Sequence, residues 1–332
     1  MSNTFASDVK NDCFAFLRGI DLQDLLVEVE NNLIEYRYNL NLPDEVTFGV
    51  EIEYEKVSDV KTHDFIIKNS LIDWFSGYDK SLSSGGEVSS PIMTDKIKYW
   101  QELRSICEFL SFNGADTLHN AGGHVHVGAH ILGEDVEAWK DFLRLYTAYE
   151  SVLFRFAYGD KISARKKILK NALPIADFLY SNMSDIMNIK SVDFLSYLVP
   201  NVRYTALNFK NVKFFMLGNK LKKNTLEFRN PNGATDAVVW QNNINTFTKM
   251  LLSSKNKVMD GDFLNYKLKE EYLLYSQNKY IYDEVNLKNA LEFVDLVFEN
   301  NLDKMYFLKQ YLKGFQDNYG IKTAVKAKQF VK

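Results

Sequence analysis

The sequence predicts an α+β fold in which one mixed unit of strands and helices carries helical segments at both ends. Residues 46–54 and 123–129 alternate apolar and polar side chains, a period of two that is typical of half-buried strands. Residues 8–40 and 236–332 instead repeat apolar side chains at helical spacing. The 332 residues are 46% hydrophobic and 25% charged, so the chain has enough apolar surface for a core of useful size.

The bulk composition excludes several classes of function. The net charge is -3 and the pI is about 6.0, so we expect no binding to nucleic acid or to an anionic membrane. No apolar run approaches the roughly 18 residues of a membrane span, and the N-terminal residues lack the pattern of a secretory signal. The two cysteines, Cys13 and Cys107, form no CxxC pair, which excludes a cysteine-type zinc site. We expect a buried Cys107 thiol and a reducing, cytoplasmic location.

The N-terminal half is predicted to contain two helices around one clear strand. The first helix, within residues 8–40, ends before the turn at Pro43 and has an apolar edge of Leu25, Val29, Leu33 and Tyr36. Residues 45–57 form the strand, and the turn-rich segment 81–92 contains a short extended piece around Glu87. The second helix runs from a Thr94 N-cap to about Phe112, and its buried edge is Tyr99, Leu103, Ile106 and Leu110.

The histidines are concentrated in one segment of the chain. Four of the five lie within twelve positions: His119, His124, His126 and His130. The alternation in residues 123–129 puts His124 and His126 on the same strand face, about 7 Å apart. His130 has the same parity but lies where the strand is expected to end. An HxH pair alone fits either a solvated sheet face or a metal site, so neighbouring residues must decide.

The C-terminal half is predicted to begin with a helix from about Asp135 to Tyr158 and a basic loop that contains Arg165 and Lys167. Three further strands are predicted, in residues 201–209, 211–217 and 223–230. The remainder, from Asp236 onward, is almost entirely helical in pattern, with Lys and Glu side chains on the solvent faces.

Carboxylates share the strand face of residues 45–57. Glu51, Glu53 and Glu55 lie on its polar side, where three like charges repel one another unless they are exposed or bind cations. A solvent-facing sheet remains an alternative, although the opposite face of this strand is strongly apolar. Magnesium or manganese is bound by such oxygen ligands, and imidazole adds a nitrogen ligand.

The last predicted strand adds a further acid and an arginine. Its alternation places Thr225, Glu227 and Arg229 on one face. A Glu and an Arg two positions apart on a strand can simply pair with their neighbours. Together with the other acids and the two histidines, however, the set is rich in carboxylate and free of thiolate. Such a set suits magnesium that holds the phosphates of a nucleotide, and the arginine supplies a planar fork for phosphate or carboxylate.

Five segments, in this order, resemble the amidoligase family: "FGVEIEYE", "GGEVSSPI", "AGGHVHVG", "VRYTALNF" and "TLEFRNPNGATD". That family belongs to the superfamily of carboxylate–amine ligases that contains glutamine synthetase and gamma-glutamylcysteine ligase. The resemblance implies a curved, mainly antiparallel β-sheet of the glutamine synthetase-like type, with helices on its outer side. We therefore divide the chain into an N-terminal helical segment (1–44), a catalytic core (45–240) and a C-terminal helical region packed on the core (241–332).

The resemblance also implies roles for individual residues. Those similar to the metal ligands of the superfamily are Glu51, Glu53, Glu87, His124 and Glu227. His126 resembles a contact to the nucleotide phosphates, and Arg229 resembles the arginine that faces the transferred phosphoryl group. Arg203 resembles a second arginine near phosphate or substrate, and Glu53 is also expected to act in catalysis. Pro231, just after the strand, is a departure that shapes the amine or carboxylate pocket differently from relatives.

The activity implied by the resemblance is ATP-dependent formation of an amide or isopeptide bond through an acyl phosphate, with Mg²⁺ or Mn²⁺. The partners expected are a carboxylate substrate and an amine substrate, each a small molecule, a peptide or a protein, and the oligomeric state stays open. Three alternatives use the same residues: a phosphotransferase of the guanidino kinase type, a non-catalytic nucleotide- or metal-binding protein, and a metal-dependent hydrolase.

Overall fold

The structure is a computed structural model that describes residues 29, 34–117, 120–158, 170–215, 223–269 and 284–312. The predictions for His119, Cys13, Arg165 and Lys167 fall outside these residues. None of the described helices combines the length and the apolar character needed to cross a membrane.

One open, six-stranded antiparallel sheet forms the centre of the fold. Its strands are β1 (Phe48–Tyr54), β2 (Phe75–Gly77), β3 (Gly86–Ser89), β4 (Gly123–Gly128), β5 (Leu207–Asn208) and β6 (Thr225–Phe228). Their order across the sheet is β2-β3-β1-β4-β6-β5. The sheet together with the surrounding helices confirms the α+β class.

The helices occur between the strands and after them. They are α1 (Asp59–Lys68), α2 (Ile97–Phe112), α3 (Val136–Tyr158), α4 (Ala176–Ser181), α5 (Met183–Asn188), α6 (Leu195–Leu198), α7 (Ala237–Lys255), α8 (Gly261–Lys267), α9 (Glu284–Val297) and α10 (Asn301–Leu312). The helices predicted near Asp135 and from residue 236 onward are thus confirmed where the structure describes the chain. The predicted boundary at position 240 falls within α7, and the division into three segments remains a prediction.

The apolar face of the sheet packs on helices α2, α3 and α7. Phe48 of β1 stacks on Trp100 of α2 with ring centroids 5.2 Å apart. Phe228 of β6 stacks on Phe247 of α7 at 4.1 Å and meets Phe142 of α3 edge-on. Because side chains alternate along a strand, covering this face with helices leaves all the polar side chains of β1, β4 and β6 on the other face.

The N-terminal prediction is wrong over residues 34–40, which are not helical, so Tyr36 does not lie on a helix edge. The backbone N–H groups of Leu40 and Leu42 donate to the Asp95 carboxylate at 2.9 Å instead of to helical carbonyls. Asp95 also accepts from the indole of Trp100. Helix α2 accordingly begins at Ile97, not after a Thr94 cap.

The buried edge of α2 is largely as predicted. Leu103, Ile106 and Leu110 are buried, and the Cys107 thiol is buried as well. Tyr99, predicted to be buried, is only partly so, because Trp100 occupies the core position instead.

Two of the three strands predicted after residue 200 are largely wrong. Of residues 201–209, only Leu207–Asn208 pairs in the sheet. Within 211–217, Lys213–Phe215 forms a 3₁₀ turn. The N–H of Lys213 donates to the Asn224 side chain, and the N–H of Phe215 donates to the carbonyl of Val212, so neither pairs with a strand. Helices α1 and α4–α6 and strand β2 were not predicted, since short elements give little periodicity.

The charged side chains of α10 were predicted to face solvent, but several of them are buried. Asp303, Lys304 and Lys309 are buried. Arg37 pairs with Asp303 at 2.6 Å, and Lys304 pairs with Asp295 at 2.8 Å. Buried charges persist when such partners compensate the loss of water, so α10 is an internal helix of the fold.

Candidate active site

The polar face of the sheet brings the predicted acids and histidines together. Antiparallel pairing sets Glu53 opposite Glu87, and Glu51 opposite His124. It also sets His126 opposite Glu227. Directly opposed residues of an antiparallel pair share a face, so this register alone gathers six side chains from four strands. The same-face prediction for His124 and His126 is therefore confirmed.

Glu51 occupies the centre of this cluster. Its Oε2 lies 2.8 Å from Nδ1 of His124, and its Oε1 lies 3.1 Å from Nε2 of His126. Burial would raise the pKa of Glu51, but the hydrogen bonds and positive charge of the two imidazoles outweigh it and hold the pKa well below the usual range. Glu51 is therefore an ionised carboxylate at neutral pH.

Charge coupling also affects the neighbours of Glu51. Burial and the charges of Glu51 and Glu53 raise the pKa of Glu87, although His124 and a hydrogen bond from Ser89 oppose this. Burial would lower the pKa of His124, but its hydrogen bond to Glu51 and the surrounding acids raise it. The cluster brings four glutamates together with two imidazoles and the guanidinium of Arg229, a crowding of carboxylates that favours the binding of a cation.

The Glu53 carboxylate contacts the backbone at Gly122, just before β4. The N–H of Gly122 donates to its Oε2 at 2.6 Å, and its Oε1 lies 3.6 Å from Nε2 of His124. A Cβ at position 122 would stand 3.2 Å from that Oε2, so a side chain there would crowd the carboxylate. Glycine at this position therefore permits the close approach of the Glu53 carboxylate.

Glu227 and Arg229 form an ion pair at the other side of the cluster. Nη1 of Arg229 lies 2.5 Å from Oε1 of Glu227, and its Nε donates to the carbonyl of Asn171 at 3.1 Å. Asn208 of β5 donates to Oε2 of Glu227 at 2.8 Å. The side chains of Glu227, Arg229 and Asn208 are each less than 10% exposed. Asn171 contributes only its backbone carbonyl. The arginine is thus held at the edge of the acidic cluster.

Three groups of side chains on this face could each hold a metal ion, and they share members. The groups are Glu51–His126–Glu227, Glu51–Glu87–His124 and Glu53–Asp79–Glu87, and within each the ligand atoms lie within 4.8 Å of one another. Carboxylate oxygens with one imidazole at most suit Mg²⁺ or Mn²⁺, so the donor chemistry fits these ions. Asp79, in the loop after β2, was missed because no repeating pattern marks it.

Other candidate residues lie away from the cluster. Both carboxylate oxygens of Glu55 accept hydrogen bonds, Oε1 from Ser83 and Oε2 from Asn120. His130 lies in a 3₁₀ turn and contacts the carbonyl of Glu45 at 2.9 Å. Arg203 is exposed, 5.9 Å from the Tyr204 ring, and no contact within the described chain joins it to the cluster.

A cavity of about 340 Å³ adjoins the cluster at Glu51 and His126. Its wall is formed by the ends of β1, β3, β4 and β6 and includes Gly49, Pro91, Ile92, His130 and Lys223. A ligand in this cavity would have apolar walls and would meet the acids and histidines at one end.

A family model described as "Putative amidoligase enzyme" matches residues 59–251, which is more than half of the chain. The chain belongs to the amidoligase family. Membership of this family indicates an enzyme of the ligase type. The matched range of this amidoligase includes β3, β4 and β6, which carry Glu87, both site histidines and Glu227, and it also includes Arg229. No curated protein matches the chain.

Proposed function

We propose that this amidoligase joins a carboxylate to an amine at the expense of ATP, with Mg²⁺ or Mn²⁺ bound on the polar face of the sheet. The observation that carries the proposal is the set of three overlapping metal-capable groups, linked through Glu51 and Glu87. Adjacent ions are what a triphosphate requires, because its oxygens carry several negative charges that must be neutralised together.

The residues that would hold the ions are those of the three groups. Glu51 and Glu87 each belong to two groups, while His124, His126, Glu53, Asp79 and Glu227 complete them. The ions, when bound, would neutralise phosphate oxygens and stabilise the charge of the transferred phosphoryl group. His126 is also close enough to the neighbouring cavity to contact phosphate.

The cavity beside Glu51 and His126 is proposed to hold the nucleotide. Its volume of about 340 Å³ and its apolar walls suit a base and sugar, and Lys223 at its edge adds a cation. In this arrangement the triphosphate extends across the polar face toward Arg229. Arg203, exposed before β5, is retained as a second, outer contact to phosphate or substrate.

The chemistry follows from the weakness of a carboxylate as an electrophile. An oxygen of the substrate carboxylate attacks the γ-phosphorus of ATP, the bond to the bridging oxygen breaks, and ADP leaves with that oxygen. The product is an acyl phosphate. The amine nitrogen then attacks the acyl carbon, phosphate leaves, and the amine loses a proton to give the amide. In this proposal Arg229 would stabilise the phosphoryl oxygens, and the acids would hold the ions that align the reactants.

Ligand-dependent stability tests this proposal. We expect ATP with Mg²⁺ to raise the melting temperature of the wild-type protein, because a ligand that binds only the native state stabilises it. Glu227→Gln and His124→Ala should lose the shift, whereas His63→Ala, an exposed histidine on α1, should retain it. A folded wild-type protein that shows no metal-dependent response to ATP would refute the proposal.

A further inference from the structure

Asn208 touches a carboxylate on which the proposed function depends. It lies on β5 opposite Glu227 and is 3% exposed. Its Nδ2 donates to Oε2 of Glu227 at 2.8 Å, while its Oδ1 accepts from the N–H of Lys210 at 2.9 Å. A backbone N–H can only donate, so the Lys210 contact fixes which end of the amide carries oxygen. The NH₂ group must therefore face Glu227.

The amide contact fixes the orientation of the Glu227 carboxylate. Its hydrogen bond to Oε2 holds one oxygen toward β5, which leaves Oε1 for the side of Arg229 and the cluster. Glu227 is 5% exposed, so water can replace a lost donor only poorly. Asn208 thus supplies, from the edge strand, a hydrogen bond that this buried acid would otherwise lack.

Arg229 and Asn208 contact different oxygens of Glu227. A guanidinium and a carboxylate form two parallel hydrogen bonds when both oxygens are accessible. Here Asn208 donates to Oε2, and Arg229 contacts only Oε1, through Nη1. The Nε of Arg229 is bound to the Asn171 carbonyl. Within the described part of the chain nothing accepts from Nη2, which leaves this nitrogen for a ligand oxygen.

We propose that Asn208 is a positioning residue for the metal site. Its hydrogen bond to Oε2, the oxygen that Arg229 does not contact, holds the Glu227 carboxylate in place beside Glu51 and His126. This inference rests on the proposed function, because it assigns Glu227 to a metal ion.

Two substitutions separate positioning from support of the local fold. Asn208→Ala removes both contacts of the side chain. Asn208→Asp is nearly isosteric and keeps an oxygen for Lys210, but it replaces the NH₂ group that faces Glu227 with a second acceptor. We expect both variants to bind Mn²⁺ about 10–100-fold more weakly than the wild type, the range typical for loss of an outer-shell partner. The measurement is titration calorimetry with Mn²⁺ alone on the full chain.

The control variant is Thr205→Val. The Thr205 hydroxyl bonds to the carbonyls of Val202 and Leu207 and so supports the start of β5 without contacting Glu227. We expect this variant to bind Mn²⁺ with wild-type affinity even where urea denaturation shows a loss of stability. Equal weakening in Thr205→Val and in the Asn208 variants would assign Asn208 a merely structural role and overturn the inference.

The remaining outcomes distinguish this inference from the function on which it rests. A wild-type protein that binds no Mn²⁺ overturns the metal assignment and the role of Asn208 with it. If the wild-type protein binds Mn²⁺ and a folded Asn208→Ala or Asn208→Asp variant binds it equally well, only the inference about Asn208 is overturned.

Discussion

Glu87→Gln should make the metal-free protein more stable and less responsive to divalent ions. The ligand atoms of Glu51, Glu87 and His124 lie within 4.8 Å of one another. Two unit charges at this separation interact by about 3 kcal/mol at an effective dielectric constant near 20. Glu51 repels Glu87, and His124, whose pKa its hydrogen bond to Glu51 raises against burial, offsets part of this repulsion when it is protonated. Because Glu53 adds further negative charge, we expect a net gain of about 1–2 kcal/mol when Glu87 is made neutral.

The assay is thermal unfolding in EDTA and again with Mn²⁺. A gain of this size corresponds to a rise in melting temperature of about 2–6 °C for a domain of this size range. With Mn²⁺ the order should reverse, because the wild-type site gains binding energy that the variant has lost. A variant that is less stable than the wild type in EDTA, or that responds equally to Mn²⁺, would refute the reasoning that these carboxylates repel one another until a cation binds.

Glu55→Gln is the matched control. Glu55 lies just after β1 on the same side as Glu51 and Glu53, but its carboxylate already accepts hydrogen bonds from the protein. Its Oε1 accepts from the N–H and hydroxyl of Ser83 at 3.0 and 2.6 Å, and its Oε2 accepts from Asn120 at 2.9 Å. Loss of the charge should therefore destabilise the protein by about 1–3 kcal/mol and leave the response to Mn²⁺ unchanged. A reduced Mn²⁺ response in this variant would mean that Glu55 belongs to the metal site.

Three further predictions concern pH, backbone conformation and the cavity. Burial would raise the pKa of Glu55, but its hydrogen bonds outweigh burial and lower the pKa below 4.5. The wild-type protein should therefore be more stable than Glu55→Gln by the full amount above pH 5. This difference should disappear as the pH falls through the pKa of Glu55 in the folded protein. Urea denaturation across pH 3–7 checks this, and a constant difference would contradict it. Gly85→Ala should lower the free energy of unfolding, measured by urea denaturation, by about 2–3 kcal/mol, because Gly85 has φ +118° and an added Cβ would clash with the Tyr54 carbonyl. Gly114→Ala should lower it by less, because the space around Gly114 is open. Equal costs would show that the steric argument is wrong. Lys223→Ala should weaken ATP binding several-fold in calorimetry without changing Mn²⁺ affinity, and unchanged ATP affinity would exclude the cavity as the nucleotide site.

The strands that carry the cluster could be predicted because their alternation is uninterrupted. In β1 and β4 a period of two coincides with β-branched residues on the buried face, and the shared face of Glu51, Glu53, His124 and His126 follows directly. Sequence order could not reveal the register, however. The opposition of Glu51 to His124 and of His126 to Glu227 depends on which strands are neighbours, and that is decided by packing across the whole sheet.

The failures have local physical causes. Residues 34–40 carry a helical pattern, but distant side chains such as Asp95 and Gln241 take their backbone N–H groups. Asp79 joins the acidic groups only because the loop after β2 returns toward β3. Asn208 was part of a recognised motif, yet its contact with Glu227 appears only when β5 pairs with β6. Each of these depends on partners far away in the sequence, which periodicity cannot register.

The most direct test of the central claim is a crystal structure with Mn²⁺ and a non-hydrolysable ATP analogue, with the ions located by their anomalous scattering. We expect manganese peaks bounded by Glu51, Glu87, His124 and Glu227, in contact with the phosphate oxygens of the analogue. We also expect the base in the cavity beside His126. Manganese away from the polar face of the sheet, or a nucleotide bound with no metal at these residues, would contradict the central claim.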